Sequence, residues 1–596
     1  MSIQSDKMIE DFINEVWWTK ENSNIPYSVM ALNNRLAEAA HKNYYFSHVY
    51  SPEVKKAYEE RLFHIHNLGQ LTTYCVGWSI EDILKIGFKG QSGRQSSKPA
   101  KHLRTALGHI YNFMYTLQGE SAGAQALSNF DTYLAPFIRQ DHLNQEEVDQ
   151  CIQEFVFNMN VPTRVGGQQP FTNITLDQQM PKFMEDDNVL LGGKLTSDKY
   201  GSYQDEMDML NKAWWTQRIK GDADGRPQPF PIETLNVTKK FDWNDETLFK
   251  AVALRGCPYF SNFINTDMKP EDVRSMCCRL RINNAVLILR GGGYFGSNPL
   301  TGSIGVITLN MPLLAYKAKD EDKFLEMVES SMEIAKTALE QKRVFLEKCS
   351  QATNTLYPYS KLYLAPVFEK FGEYWKNHFS TIGLIGMNEA CQNLFGEDIS
   401  KNGGLGFAIK TLHVMRQKAL DFQEETNNMY NIEATPGEGT SYRLAMLDKK
   451  EFPDIITAGT VEAPYYTNST QLPVNCNLSL GRQVKHQSMI QKLYTGGTVQ
   501  HFWNGEEMAY WEGVSKFMKN IIYRSELPYT TYSPTTSLCP THGLMPGKHF
   551  TCPKCGAKTE VWARVCGYLS SVQQWNPGKV QEFGERHEFT ISETFK

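Results

Sequence analysis

Apolar residues recur at three- and four-residue intervals in two early stretches, Ile80–Ile86 and Leu103–Leu117. That spacing lays one apolar stripe along a helix. Residues 1–60 also read as helical, anchored by Trp17, Trp18, Tyr44, Tyr45 and Tyr50, and residues 60–160 as mostly helical. Residues 190–255 lose the pattern. Polar residues mix there with Gly221, Gly225, Pro227, Pro229 and Pro231, which predicts irregular structure or a connection. From about 255 to 315 the texture changes again. Residues 286–290 and 304–310 are strand-sized apolar runs without alternation, as expected of strands covered on both faces. A glycine-rich stretch, 291–299, lies between them. Residues 320–350 predict a charged helix. Residues 366–430 predict further helix, broken at Gly383/Gly386 and at Gly403/Gly404/Gly406, and 430–510 strand and turn. The tail from about 530 reads as a separate small module. Strand and helix alternating over so long a span predict an α/β barrel.

Composition narrows the class. At 596 residues the chain exceeds one small core, and 41% hydrophobic with 21% charged residues is the balance of a soluble globular protein. A net charge of −5 argues against direct nucleic-acid binding. No apolar run approaches the roughly 20 residues that span a bilayer, and the N-terminus lacks the basic start and apolar core of a secretory signal. A cytoplasmic protein with no membrane contact is expected. The twelve cysteines are sparse until the tail, which suits reduced thiols rather than a disulfide framework.

The tail holds the densest chemistry. Cys539-Pro540-Thr541-His542 and Cys552-Pro553-Lys554-Cys555 form two short knuckles about a dozen residues apart, the spacing of one tetrahedral Zn2+ site. His549 competes with His542 for the histidine corner. Four protein ligands leave no open position, so the metal would be structural. Arg564-Val565-Cys566-Gly567-Tyr568 follows directly. Alone, Gly567 is an ordinary turn glycine; beside the knuckles it suits a braced loop. A glycine α-carbon can hold an unpaired electron, because the amide nitrogen and carbonyl delocalise it and no side chain twists the centre. Upstream, Cys277 and Cys278 are vicinal, and on an extended loop only one of the two can face a site. Cys75 alone reads as a core cysteine. The glycine loops at 290–293 and 495–498 have neither a Walker lysine nor dinucleotide spacing. Glu433 and Glu438 flank a Pro-Gly turn, where acids are usually solvated.

Taken together and in order, these segments resemble the anaerobic (class III) ribonucleoside-triphosphate reductases, which are glycyl radical enzymes. The blocks that carry the likeness, from about residue 60 to the C-terminus, are 263–267, 276–280, 290–310, 381–386, 433–436 and 494–498, then the knuckles and 564–568. The size matches forms without an N-terminal ATP-cone. The resemblance implies a ten-stranded α/β barrel of two five-stranded halves with a central finger loop, a C-terminal zinc-ribbon-like module and a glycyl radical loop. The implied divisions are a helical region at 1–60, a catalytic barrel with a helical effector and dimer region at 61–530, a zinc-binding module at 531–560, and the radical loop and tail at 561–596.

The same resemblance implies roles for residues. Gly567 would be modified to the stored radical, Cys277 or Cys278 would form the thiyl radical, and Cys75 would be the second cysteine, with Asn298 near the substrate. Asn265, Thr495, Gly496, Gly497 and Thr498 would bind substrate, and Cys539, His542, Cys552 and Cys555 would hold structural zinc. A first knuckle of C-x2-H departs from the family's usual C-x2-C. Implied partners are a radical S-adenosylmethionine activase with an iron–sulfur cluster, ribonucleoside triphosphates, formate, ATP and dNTP effectors, and a second copy of the chain in a homodimer. Two other readings compete. An acyl-transferring or lyase-type glycyl radical enzyme should lack the knuckles. A zinc-ribbon nucleic-acid-binding protein should be basic.

Overall fold

The computed structural model describes residues 2–14, 22–90, 93–266, 273–275, 281–283, 300–506 and 510–591. Ten strands follow one path through its main sheet. They are β1 (Cys75–Trp78), β2 (Gln125–Leu127), β3 (Thr172–Leu176), β4 (Ile232–Val237), β5 (Tyr259–Asn262), β6 (Thr301–Asn310), β7 (His378–Ile385), β8 (Tyr430–Glu433), β9 (Gln500–Asn504) and β10 (Tyr529–Pro534). Strands β1 to β5 pair parallel in sequence order. Strand β6 pairs parallel with β7, β7 with β8, and β9 with β10. The two sets of five meet antiparallel twice, at β1/β6 and at β5/β10. An eleventh strand, Phe63–Ile65, pairs with β6 off this path.

The remaining seam, between β8 and β9, is bridged by the segment leading into β9. The Gly496 amide donates to the Ile432 carbonyl at 2.7 Å and the Ala434 amide to the Gly497 carbonyl at 2.7 Å. The Thr495 hydroxyl accepts from the Ile432 amide at 2.9 Å. The sheet thereby curls into the expected ten-stranded α/β barrel. All ten residues of β6 are buried, which explains why its sequence shows no alternation.

Helices cover the outer face. Glu321–Gln351 starts at Asp320, whose side chain caps the Lys323 amide at 2.8 Å. Its buried stripe, Phe324, Val328, Met332, Ala335 and Leu339, packs on β6 and β7. Arg343 from the same helix donates to the carbonyls of Trp375 at 2.8 Å and His378 at 2.7 Å, which pins the start of β7.

The helices Ile80–Ile86, Leu103–Leu117 and Glu321–Gln351 fall where periodicity placed them. Other regions differ. Residues 190–255 are mostly regular, with the helices Gln204–Lys220 and Glu246–Arg255 on either side of β4, while 221–231, which holds the named glycines and prolines, is the expected irregular connection. Within the stretch read as mostly helical lie β1 and β2, each too short to show a period. Gly383 is not a helix break but a position inside β7. A Cβ there would fall 1.7 Å from the Thr435 hydroxyl oxygen, so only glycine fits. Gly403, Gly404 and Gly406 lie inside the helix Asn402–Thr426, and 430–510 contains the helices Gly439–Glu451 and Leu480–Gln491. Trp17, Trp18, the run 286–290 and the glycine stretch 291–299 lie outside the described residues.

After β10 the chain enters a four-stranded antiparallel sheet. Its strands are β11 (Thr536–Cys539), β12 (Gly543–Pro546), β13 (Glu560–Arg564) and β14 (Leu569–Ser571), in the order β12-β11-β13-β14. One sheet therefore carries both knuckles and both strands flanking Gly567. Among the described residues no helix is long and apolar enough to cross a membrane.

Candidate active site and metal cluster

The turn β13–β14 presents Gly567. The Val565 amide donates to the Tyr568 carbonyl at 3.1 Å and closes it. Four groups then brace the turn, two reaching in from outside and two reaching out from it. The Tyr259 hydroxyl, from β5, donates to the Gly567 carbonyl itself. Cys566 Sγ donates to the Gly437 carbonyl at 3.3 Å, and burial pushes its thiol up to about 11. Arg586 donates to the carbonyls of Arg564 at 3.0 Å and Val565 at 3.2 Å. Its guanidinium lies 3.8 Å from the centre of the Trp503 ring and pairs with Glu582 at 3.0 Å, and Glu582 also pairs with Lys579. Finally, the Tyr568 hydroxyl donates to Glu438 Oε2 at 3.1 Å. Its ring packs edge-on against Phe171 and stacked on Phe230, contacts worth about 0.5–1.5 kcal/mol each.

Glu438 was expected to be solvated. It is buried instead, because Tyr568 and Ser23, both remote in sequence, roof its turn. Ser23 Oγ lies 3.1 Å from the Tyr568 hydroxyl and donates to Ser570 Oγ at 2.9 Å. Desolvation raises the Glu438 carboxyl to about 7, although Tyr568, Ser23 and Lys579 pull it down. Glu433 is buried too, at the end of β8.

Cys566, Gly567 and Tyr568 line one cavity together with Tyr74, Gly123, Ala124 and Glu438. Tyr74, Gly123 and Ala124 come from the starts of β1 and β2. Cys75, next in the chain after Tyr74, is buried beside this lining rather than part of it, its Sγ accepting from the Ala124 amide at 3.4 Å. A Cβ on Gly123 would lie 2.7 Å from this sulfur. Cys277, Cys278 and Asn298 lie outside the described residues. Asn265 is exposed at the end of β5 and gives its side-chain amide to the Tyr523 carbonyl at 2.7 Å. Thr495, Gly496 and Gly497 make the hydrogen bonds to β8 already described, and Thr498 is buried beside them. None of these five lines the cavity at Gly567.

The tail sheet gathers the knuckles. One ligand atom each from Cys539, His542, Cys552 and Cys555 lie within 4.8 Å of one another. Cys539 Sγ is 3.7 Å from His542 Nδ1 and 3.7 Å from Cys555 Sγ, and Cys552 Sγ is 3.5 Å from His542 Nδ1. A tetrahedron with Zn–S of about 2.3 Å and Zn–N of about 2.0–2.1 Å has edges of roughly 3.5–3.8 Å. The donor set therefore fits tetrahedral zinc without rearrangement. His542 is the histidine of the cluster. His549 is outside it, its backbone held by Ser537 at 2.9 Å and by Thr559.

Barrel, braced glycine turn and a thiolate–imidazole cluster able to hold a metal together define a class, the ten-stranded α/β barrels with a small sheet appended at the tail. Comparison with known proteins narrows it. Residues 21–589 match the family described as anaerobic ribonucleoside-triphosphate reductase, and the chain belongs to that family. Its relatives include the anaerobic ribonucleoside-triphosphate reductases of Escherichia coli and Haemophilus influenzae. Each is 23% identical, over 95% of this chain and 82% of the former protein, and over 98% and 85% for the latter. Among solved structures, an anaerobic ribonucleotide reductase superposes with a TM-score of 0.76 at 20% identity, covering 98% of this chain and 93% of that one. The Thermotoga maritima enzyme in complex with dATP and CTP gives 0.72 at 18% identity, covering 95% and 97%. A Roseburia inulinivorans protein of 1,2-propanediol dehydration is more distant, at 0.57 and 11%, covering 94% and 84%. That ranking disfavours the lyase-type alternative.

Proposed function

We propose that this chain reduces ribonucleoside triphosphates to 2′-deoxyribonucleoside triphosphates, storing a radical on Gly567 and working through a thiyl on Cys277 or Cys278. What carries the reading is the position of Gly567 on the wall of a cavity also lined by Tyr74 and Ala124, the immediate neighbours of Cys75, within a ten-stranded barrel of this family. A thiyl radical takes the hydrogen from C3′ of the ribose, a nearly balanced exchange of S–H and C–H bonds. The C3′ radical weakens the C2′–OH bond, and water leaves once that hydroxyl is protonated. Two electrons must then enter and the hydrogen return to C3′. Formate, oxidised to CO2, supplies the two electrons with Cys75 assisting, and the returned hydrogen regenerates the thiyl.

Zinc at Cys539, His542, Cys552 and Cys555 would stiffen the tail sheet. Buried donors on the Gly567 turn then serve two ends. The Tyr259 and Arg586 bonds hold the glycine in place, and the surrounding aromatic packing keeps water from the centre. A radical S-adenosylmethionine activase, effector nucleotides and a homodimer complete the proposed system, with Asn298, Asn265 and the segment 495–498 as proposed substrate contacts.

The test is anaerobic activation with activase and S-adenosylmethionine, followed by CTP reduction with and without formate. A doublet EPR signal that vanishes in Gly567→Ala, with formate-dependent dCTP, is expected. Formate-independent turnover would remove formate from the scheme. An activated chain without any organic radical would overturn the mechanism.

A further inference from the structure

Of the four braces on the Gly567 turn, three end away from the glycine's own peptide groups. Arg586 binds the carbonyls of Arg564 and Val565, Cys566 reaches the Gly437 carbonyl, and Tyr568 reaches Glu438. The fourth, the Tyr259 hydroxyl, donates to the Gly567 carbonyl. That carbonyl is conjugated with the Gly567 α-carbon whenever the α-carbon carries an unpaired electron. A brace meant only for position has no reason to end there, since the other three already fix the turn on both sides of the glycine.

Tyr259 is itself held firmly. It is 2% exposed and opens β5, where it pairs with Thr234 of β4. The Arg564 guanidinium carbon lies 4.6 Å from the centre of its ring. Arg564 is fixed in turn, its Nε donating to Ser533 Oγ at 3.2 Å and its Nη2 to the Gly256 carbonyl. Strands β5, β10 and β13 therefore set the hydroxyl before any radical forms. A donor already aimed at the oxygen needs no reorganisation when electron density moves there, and a buried hydrogen bond is electrostatically stronger than one in water.

We propose that Tyr259 is a positioning residue for the stored electron: its hydroxyl, bound to the Gly567 carbonyl, draws spin density from the α-carbon onto the peptide and prolongs the life of the radical. The inference rests on the radical proposed at Gly567. The physical reason is that a glycine radical is stabilised by donation from its amide nitrogen and withdrawal by its carbonyl. A hydrogen bond to the oxygen makes the carbonyl a better acceptor. Less spin then remains on the α-carbon, so its one hydrogen couples more weakly to the electron and the centre abstracts hydrogen less readily.

Anaerobic activation of the full chain, followed by EPR and proton ENDOR in H2O and D2O, tests this. The parent should show two exchangeable couplings, one from the Gly567 amide hydrogen and a weaker one from the Tyr259 hydroxyl. Tyr259→Phe keeps the ring beside Arg564 and removes the hydroxyl alone. The weaker coupling should vanish, the doublet splitting should widen, and the half-life of the radical under an added small thiol should fall about two- to tenfold, the range of one hydrogen bond's net worth. Cys566→Ala removes a brace that ends elsewhere and should leave the splitting and the weaker coupling as in the parent. A single exchangeable coupling in the parent would overturn the inference without recourse to any variant. So would a splitting and half-life in Tyr259→Phe equal to the parent's, or an equal widening in Cys566→Ala, which would trace the effect to lost position rather than to this bond. Each of those results leaves the reaction standing, because the radical has formed. A parent that takes up no radical removes the proposed function, and this inference with it.

Discussion

Replacing Glu438 by glutamine should flatten the pH dependence of the protein's stability around the Gly567 turn. Burial raises this carboxyl from its ordinary 4.5 to about 7, against the pull of Tyr568, Ser23 and Lys579. The folded state thus prefers the protonated form, whereas the unfolded chain ionises it near 4.5. The stabilisation is full below the unfolded value, shrinks as pH rises, and is gone above about 7. A move of that size corresponds to roughly 3 kcal/mol between the two limits. Glutamine stays neutral throughout and still offers Tyr568 an acceptor. Urea unfolding of both proteins between pH 5 and 8 is the assay. The parent should lose stability relative to Glu438→Gln as pH rises, by up to ~3 kcal/mol over that window. Amide protection at residues 565–571, corrected for the intrinsic base-catalysed rate, should fall with pH in the parent only, which ties the effect to the turn. Parallel unfolding curves for the two proteins would show that Glu438 ionises as freely in the fold as out of it, and the account of its burial would fall.

Three further outcomes follow from the geometry. Cys75→Ser should leave the EPR signal of the activated enzyme intact while abolishing dCTP formation, because in the proposed scheme storage and reduction use different residues; a lost signal would contradict that separation. His542→Ala should lower bound zinc well below one per chain by atomic absorption, whereas His549→Ala should leave it unchanged, and the opposite pattern would reassign the fourth ligand. Arg586→Met should destabilise the chain by about 3–5 kcal/mol, since Glu582 would lose one of its two buried cationic partners and two carbonyls their donor; a melt within a degree of the parent would refute it.

Helices with one apolar stripe were legible from spacing alone, as Leu103–Leu117 shows. The helix Gln204–Lys220 was not, because it buries Asn211, Trp214, Trp215 and Gln217 around much of its circumference and sits among glycines and prolines. Short barrel strands such as Gln125–Leu127 carry too few residues for any period, and only the tertiary closure makes them strands. At the site, spacing singled out the thiolate knuckles and the resemblance singled out Gly567, but neither could choose between His542 and His549. That choice depends on how β11 and β12 fold back on each other. Tyr259, Ser23 and Arg586 left no signal, since each reaches the turn from a distant part of the chain. Glu438 was misread for the same reason: a local pattern cannot show the roof that residues 23 and 568 place over it.

The shared tail sheet has a mechanical consequence. Only Thr535 separates the barrel strand β10 from β11, so the sheet is joined to the barrel there at a single residue, as a lever is at its fulcrum. With zinc bound, the knuckles would form the stiff arm, with Gly567 at the working tip. Such an arm can lift the glycine out of the barrel without breaking any bond within the turn. What must let go includes these latches: Tyr259 from the Gly567 carbonyl, Tyr568 from Glu438, Cys566 from Gly437, Arg564 from Gly256, and Arg586 from the turn's carbonyls. Stripping the metal would soften the arm rather than cut it, so its cost should fall on how often the tip returns to register, more than on the chemistry performed once it is home.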